Sequence, residues 1–238
     1  MPAVLVHGVP DTPRVWRALV ERLRRDDVVT PSLPGFGCGI PAGFDCSKEA
    51  YTDWLLAELR RVQGPIDLVG HDWGGLLVVR AVSLEPTLVR TWAAGAAPLD
   101  AEYEWHKAAK LWQTPGVGEQ VMEQLTPDVL VTALVAAGVP DADATSAAAH
   151  VDPTMKRSIL ALYRSAVRVG AEWQGELGRV PPRGLVLWGE HDPYVAPVYG
   201  SRLASRTGAR FVAFPGCSHW WQLERAGDVA KELEAHWS

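Results

Sequence analysis

The sequence predicts an α/β fold: a mostly parallel sheet with helices on both faces. Two observations carry that expectation. Short, almost wholly apolar runs alternate with stretches of helical periodicity along most of the 238 residues. Several of those runs stop abruptly at glycine and hand over to a loop, as in "VLVHG", "DLVGHDWGG" and "LVLWGEHD".

Composition narrows the function classes. Hydrophobic residues make up 47% and charged residues 21%, an ordinary globular balance with enough chain for one large core. The net charge of −5 gives no basic patch that would favour nucleic acid. No apolar run is long enough to span a bilayer. The opening "MPAVLVHGVP" lacks the charged start, long apolar middle and cleavage site of a signal peptide. Cys38, Cys46 and Cys217 show neither Cys-x-x-Cys nor zinc spacing, which fits reduced thiols in a cytoplasmic protein.

Each element has its own signal. Ala3–Val6 reads as a buried strand ending at His7-Gly8. Trp16, Leu19, Val20 and Leu23 recur at helical spacing, predicting a helix over 16–24. Residues 28–30 form a short strand closed by "PSLPGFG", which is rich in breakers. Ser47 is placed to cap a helix reaching about Val62, with Tyr51, Leu55 and Leu59 on one face. A strand follows at 66–69, then an apolar helix over 74–84, then strands at 91–96, 184–188 and 210–214. Between about Pro98 and Pro182 the rhythm breaks. The patterns there are helical, with an Ala-rich segment "VAAGVPDADATSAAAH" and no convincing strand. This predicts a helical insertion over 98–182, closed by the Pro181-Pro182 pair, on a core formed by residues 1–97 and 183–238.

The stretch Gly70-His71-Asp72-Trp73-Gly74 is Gly-x-nucleophile-x-Gly between a strand and a helix. That is the arrangement of a nucleophile elbow, in which a tight turn pushes the central side chain into a cleft. Asp72 as a simple helix cap is the plainer alternative. The buried strand before it, an exposed His71 and the paired glycines after it point beyond a cap. A nucleophile needs a base, an orienting acid and an oxyanion hole, in the chain order nucleophile, acid, histidine. Asp192 follows the strand in "LVLWGEHDPYV", and His219 follows the last strand in "FPGCSHWWQLE". The backbone N–H of Val9 follows the first strand. Taken singly, Asp192 is also turn chemistry before a proline and His219 a loop histidine.

Together these residues resemble one family. His7-Gly8-Val9-Pro10 (an HGxP motif), "LPGFG", "GHDWGG", "WGEHD" and "GCSHW" are similar to the α/β-hydrolase superfamily, in its epoxide hydrolase and haloalkane dehalogenase branch, over nearly the whole chain. The resemblance implies the α/β-hydrolase fold with a helical cap over 98–182 inserted after the sixth-strand position. Members usually begin with two antiparallel strands before the HGxP strand, and this sequence starts at that strand. The implied sheet has about six strands unless the sequence is trimmed, and a bare edge near the N-terminus is a natural place for pairing with another subunit.

The resemblance also implies roles. Asp72 attacks an sp³ carbon and forms an ester on the enzyme. His219 deprotonates the water that hydrolyses it, Asp192 holds the imidazole, and the backbone N–H groups of Val9 and Trp73 hold the oxyanion. A serine esterase would need serine at position 72. For an epoxide, two cap tyrosines assist the leaving oxygen. "ILALYRSA" resembles the segment with the second, at Tyr163, although a helix-packing tyrosine beside a solvated Arg164 fits the same residues. "LWQTPGVGE" resembles the segment with the first, but Leu111 stands in its place and cannot donate a hydrogen bond. Trp112 can donate, and equally fits a core position. A dehalogenase would hold its halide between Trp73 and a second donor such as Trp112, although the Asn found after HG in many dehalogenases is Val9 here. Tyr163 tilts the reading to a hydrophobic epoxide. A ligand carrier is the third reading, disfavoured because all three catalytic positions are filled. His7, Pro10, Trp73, Leu111, Trp112, Tyr163 and Trp220 or Trp221 are the expected pocket walls. His7 also fits a brace for the oxyanion loop. His106, His150, His191 and His236 show no metal spacing, and the implied mechanism needs no cofactor.

Overall fold

Six apolar runs form one sheet in the computed structural model, which describes residues 1–181 and 183–238. The strands are β1 (Ala3–Val6), β2 (Val28–Val29), β3 (Ile66–His71), β4 (Val89–Gly95), β5 (Gly184–Gly189) and β6 (Arg210–Phe214). Their order is β2-β1-β3-β4-β5-β6 and every pairing is parallel. The central strands are apolar on both sides because both faces are covered. Side chains alternate between two cores: Val4, Val6, Leu68, Trp92, Ala94, Val186 and Trp188 face one, while Ala3, Leu5, Val69, Ala93, Leu185 and Leu187 face the other.

The helices are α1 (Arg17–Val20), α2 (Lys48–Arg61), α3 (Trp73–Leu84), α4 (Lys107–Gln113), α5 (Val117–Gln124), α6 (Pro127–Ala136), α7 (Asp141–Ala148), α8 (Pro153–Ser165), α9 (Val169–Trp173), α10 (Pro197–Thr207), α11 (Trp221–Glu224) and α12 (Ala226–Trp237). Tyr51 and Leu55 of α2, Leu76 and Leu77 of α3, and Leu203 of α10 cover the first face. Leu19 of α1, Trp221 of α11, and Val229 and Leu233 of α12 cover the second. The stretch between β4 and β5 holds α4 to α9 and a 3-10 turn. Pro182, expected as half of its closing proline pair, lies outside the described residues.

One expectation needs adjustment. The helix expected over 16–24 is a 3-10 turn at Pro13–Trp16 followed by the single turn of α1. Beyond it, Arg22 bonds back only to Leu19 and Leu23 to Val20, since the chain must turn into β2 at Val28. The α2 expectation holds to its cap: the Ser47 hydroxyl accepts the Ala50 N–H at 3.1 Å. At the N-terminal end of the sheet, the buried Asp67 carboxylate is held by Arg25, Arg90 and the Thr91 hydroxyl. Among the described residues no helix is long and apolar enough to cross a membrane.

Candidate active site

The site forms where β3 runs out. Asp72 has φ +53° and ψ −121°, a region that costs a non-glycine residue about 1–3 kcal/mol. The surroundings impose it. The Asp72 N–H donates to Gly95 O at 2.9 Å, and its own carbonyl accepts the Leu76 N–H that starts α3. The crossing leaves no room for side chains: a Cβ on Gly74 would stand 2.0 Å from Val6 O. Although Asp72 sits at the start of α3, its side chain makes no capping bond. The carboxylate points instead toward β1, and its Oδ1 accepts the Val9 N–H at 2.8 Å.

His219 and Asp192 arrive from the loops after β6 and β5. His219 Nδ1 lies 2.8 Å from Asp192 Oδ2, and Nε2 stands 3.8 Å from Asp72 Oδ2. Asp192 is fixed in turn, since its Oδ1 accepts the N–H groups of Tyr194 and Val195 at 2.8 and 2.9 Å. Burial opposes charge on His219, but Asp192 first, then Asp72 and Asp11, outweigh it and raise its pKa to about 9. Burial raises the Asp72 pKa above the usual carboxylate value, against the favourable pull of His219 and the Val9 and Trp73 N–H groups.

These groups open onto a cavity of about 240 Å³ between the strand ends and α4, α5, α6 and α8. Its walls are largely apolar, with the rings of Tyr103, Trp105, Trp112, Tyr163 and Tyr194 interleaved. Tyr163 is 2% exposed. Burial, and next the Asp72 charge, push its pKa well above 10, while the Trp73 indole opposes the shift. Its hydroxyl therefore keeps its proton at any neutral pH.

The structure brings Asp72, Asp192, His219, Val9, Pro10, Trp112, Tyr163 and Trp220 to this cavity or to the groups that line it. Four expectations fail. His71 is fully buried rather than exposed, because β3 continues through it. Its Nε2 bonds to the His219 carbonyl and its ring packs edge-on to Trp221. His7 does not line the cavity; it sits behind the Gly8-Val9 turn, where Nε2 accepts the Leu33 N–H. Leu111 of α4 is not on the wall, whereas its neighbour Trp112 is. The Trp73 ring is buried behind the wall, stacked on Trp105 at 5.9 Å and edge-on to Tyr163 at 5.5 Å, and among the described residues its indole N–H has no hydrogen-bond acceptor. Of the two alternatives after His219, Trp220 lines the cavity, while Trp221 packs against His71 and Trp16.

Sequence reasoning missed several residues here. Tyr103, Trp105 and His106 lie in the connection before α4, and Tyr194 follows Asp192. Asp11, directly after the HGxP motif, is 4% exposed and accepts the Trp220 indole N–H at 3.0 Å. Burial raises its pKa to about 7 against that hydrogen bond. Its position next to a motif proline was the one available signal, and "PD" reads as ordinary turn chemistry.

A parallel sheet with a strand–elbow–helix turn that presents Asp72, and an acid–histidine pair beside it, defines a class of hydrolytic scaffold. Residues 3–232 match the family model described as the alpha/beta hydrolase family, and the chain belongs to that family. It is 30% identical to a haloalkane dehalogenase of Psychrobacter cryohalolentis over 118 residues, 47% of this chain and 39% of that protein. It is 28% identical to the (E)-2-((N-methylformamido)methylene)succinate hydrolase of Acinetobacter baylyi over 94 residues, 39% of this chain and 36% of that one. The match thus spans little more than a third of the length of these curated relatives. The crystal structure of the haloalkane dehalogenase DbeA from Bradyrhizobium elkani superposes with a TM-score of 0.77 at 20% identity, covering 99% of this chain and 90% of that one.

Proposed function

We propose that this chain hydrolyses a hydrophobic epoxide to a vicinal diol through a covalent ester on Asp72. The observation that carries the reading is the pairing on one cavity of a carboxylate with a free oxygen and a neutral tyrosine hydroxyl. Asp72 Oδ1 is occupied by the Val9 N–H, which leaves Oδ2 to attack. As the new C–O bond forms, the epoxide C–O bond breaks, and the departing oxygen takes the Tyr163 proton. Such assistance is worth roughly 10²–10⁴ in rate. Trp112, on the same cavity wall, would donate a second hydrogen bond to that oxygen.

The second step uses the histidine. While Asp72 is ionised, its charge helps keep His219 protonated. Esterification removes that charge, so the imidazolium gives up a proton, which restores the Tyr163 hydroxyl by way of solvent, and the neutral imidazole becomes a base. It then takes a proton from water as the water oxygen attacks Asp72 Cγ. The Val9 and Trp73 N–H groups hold the oxyanion on Oδ1. Collapse breaks the Cγ–Oδ2 bond and passes the added hydroxyl's proton to the leaving oxygen, so the diol carries one oxygen from the epoxide and one from Asp72, and the water oxygen takes the place of Oδ2 in the restored carboxylate. Asp192 holds the ring in place and stabilises the imidazolium each time it forms.

A second reading, halide displacement by the same aspartate, draws on the dehalogenase relative and on Trp112 in the cavity. The first is favoured because the Trp73 indole stands behind the wall. A leaving halide there would find Tyr163 before it found Trp73.

The test is the intact mass of His219→Gln incubated with styrene oxide and, separately, with 1-bromobutane. Without its base, the enzyme should accumulate the ester. An adduct equal to the whole epoxide, mapped to Asp72, is the expected result. A butyl adduct with bromide released, and none from the epoxide, would replace the proposal with the dehalogenase. No adduct from either would overturn covalent catalysis at Asp72 and revive the ligand-carrier reading.

A further inference from the structure

The cavity wall carries a hydrogen-bond donor that chemistry at Asp72 does not use. His106 immediately precedes α4 and caps it, with Nδ1 accepting the Ala109 N–H at 3.3 Å. A ring nitrogen that accepts carries no hydrogen, so in the neutral ring the hydrogen sits on Nε2. Burial, and then the charge of His219, lower the His106 pKa to about 4, so the ring is neutral through the physiological range. The helix cap therefore fixes the tautomer as well as the ring's position.

The imidazole lines the same cavity as Asp72 and His219. Its centroid is 5.0 Å from the Tyr194 ring, and that ring is 5.1 Å from His219. One aromatic ring thus separates His106 from the catalytic histidine. Trp112 flanks it edge-on at 5.9 Å. Farther along, the wall is aliphatic, with Val121, Leu125, Leu130, Leu134 and Ile159. Among the described residues, the cap is the one hydrogen bond this ring makes, and Nε2–H is left to whatever fills the cavity.

We infer that His106 is a specificity-determining donor. It selects ligands that carry a neutral hydrogen-bond acceptor, such as a ketone, ester or ether oxygen, about one ring's width from the reacting carbon. Neutrality follows from the wall: among the described residues neither lysine nor arginine lines the cavity, and an anion would share it with Asp72. A donor in an apolar enclosure discriminates by leaving its hydrogen unpaired against ligands that lack the acceptor. The inference rests on the proposed function for what becomes of the ligand, and on the cavity alone for how it binds.

Two probes isolate the effect. Cyclohexyl methyl ketone and isopropenylcyclohexane share shape and size, but the alkene has no acceptor. Their dissociation constants are measured by calorimetry for the wild-type chain, His106→Phe and His106→Asn. Phenylalanine keeps a ring without the donor. Asparagine keeps the helix cap on a side chain too short to place a donor at the Nε2 position. Both variants should weaken ketone binding roughly three- to tenfold, the worth of one such hydrogen bond, and leave the alkene within roughly twofold. Equal effects on both probes, no effect on either, or no ketone binding to the wild type would overturn the inference. Adduct formation on His219→Gln is scored in parallel. Loss of adduct with ketone selectivity intact would sink the chemistry and leave the donor standing; the reverse pattern would sink the donor alone.

Discussion

His219 should make the stability of this protein fall on the alkaline side, and Asp192→Asn should remove most of that dependence. The imidazole is 3% exposed, so solvent screens its interactions little. A pKa of about 9 against 6.5 for an ordinary histidine corresponds to roughly 3 kcal/mol in favour of the folded imidazolium. The folded state binds this proton more tightly than the unfolded state. The contribution is therefore whole below pH 6.5 and lost as pH rises through 9. Asp192, 2.8 Å away, is the largest favourable partner, and Asp72 and Asp11 supply the remainder. Asparagine at 192 removes the charge but keeps an oxygen for the Tyr194 and Val195 N–H groups, so the loop stays anchored. Urea unfolding of both proteins from pH 6.5 to 9.5 gives the answer. The stability gap between them should shrink by roughly 2 kcal/mol across that range. A gap that stays constant would mean that His219 is not held protonated, and the account of how esterification releases its proton would fall with it.

Three further outcomes are expected. Tyr163→Phe should slow epoxide turnover roughly 100-fold or more; if Trp112→Phe leaves turnover intact in the same assay, Trp112 is packing. Gly8→Ala should suppress alkylation of Asp72 at least roughly 100-fold, because the new Cβ would stand 2.3 Å from Asp72 Oδ1; trapping at the wild-type rate in a Gly8→Ala, His219→Gln double variant would refute this. Asp11, buried with its pKa raised from 3.8 to about 7, should cost stability increasingly as pH rises through that interval. Asp11→Asn should then gain on the wild type by roughly 2–4 kcal/mol between pH 4 and 8, and parallel melting profiles would count against it.

Much of the fold was legible because local and global signals agreed. β1 and β6 have the expected bounds, and Ser47 caps α2 where its position before a periodic run indicated. Chemistry-bearing positions after strands were legible for the same reason: strand, breaker and reactive residue follow one another in the chain. What escaped has a common physical cause. His71 looked exposed because a motif does not reveal that its strand continues two residues farther under a neighbouring loop. Tyr103, His106, Tyr194 and Asp11 come from connections and caps, where no periodicity marks a face. Leu111 and Trp112 are adjacent, and only the rotation of α4, set by packing, puts one of them on the wall.

The elbow is built entirely from main chain. Two backbone hydrogen bonds and the bare α-carbons of its glycines fix the turn. Address and reagent are therefore encoded separately. On the proposed chemistry, one codon would choose between a carboxylate, which strikes tetrahedral carbon, and a hydroxyl, which strikes a carbonyl. The sheet, the Val9 and Trp73 N–H groups and the histidine all come from other positions in the chain. For a lineage built on this frame, a change of reaction class lies one substitution away, while a change of where the reaction happens would require a new protein.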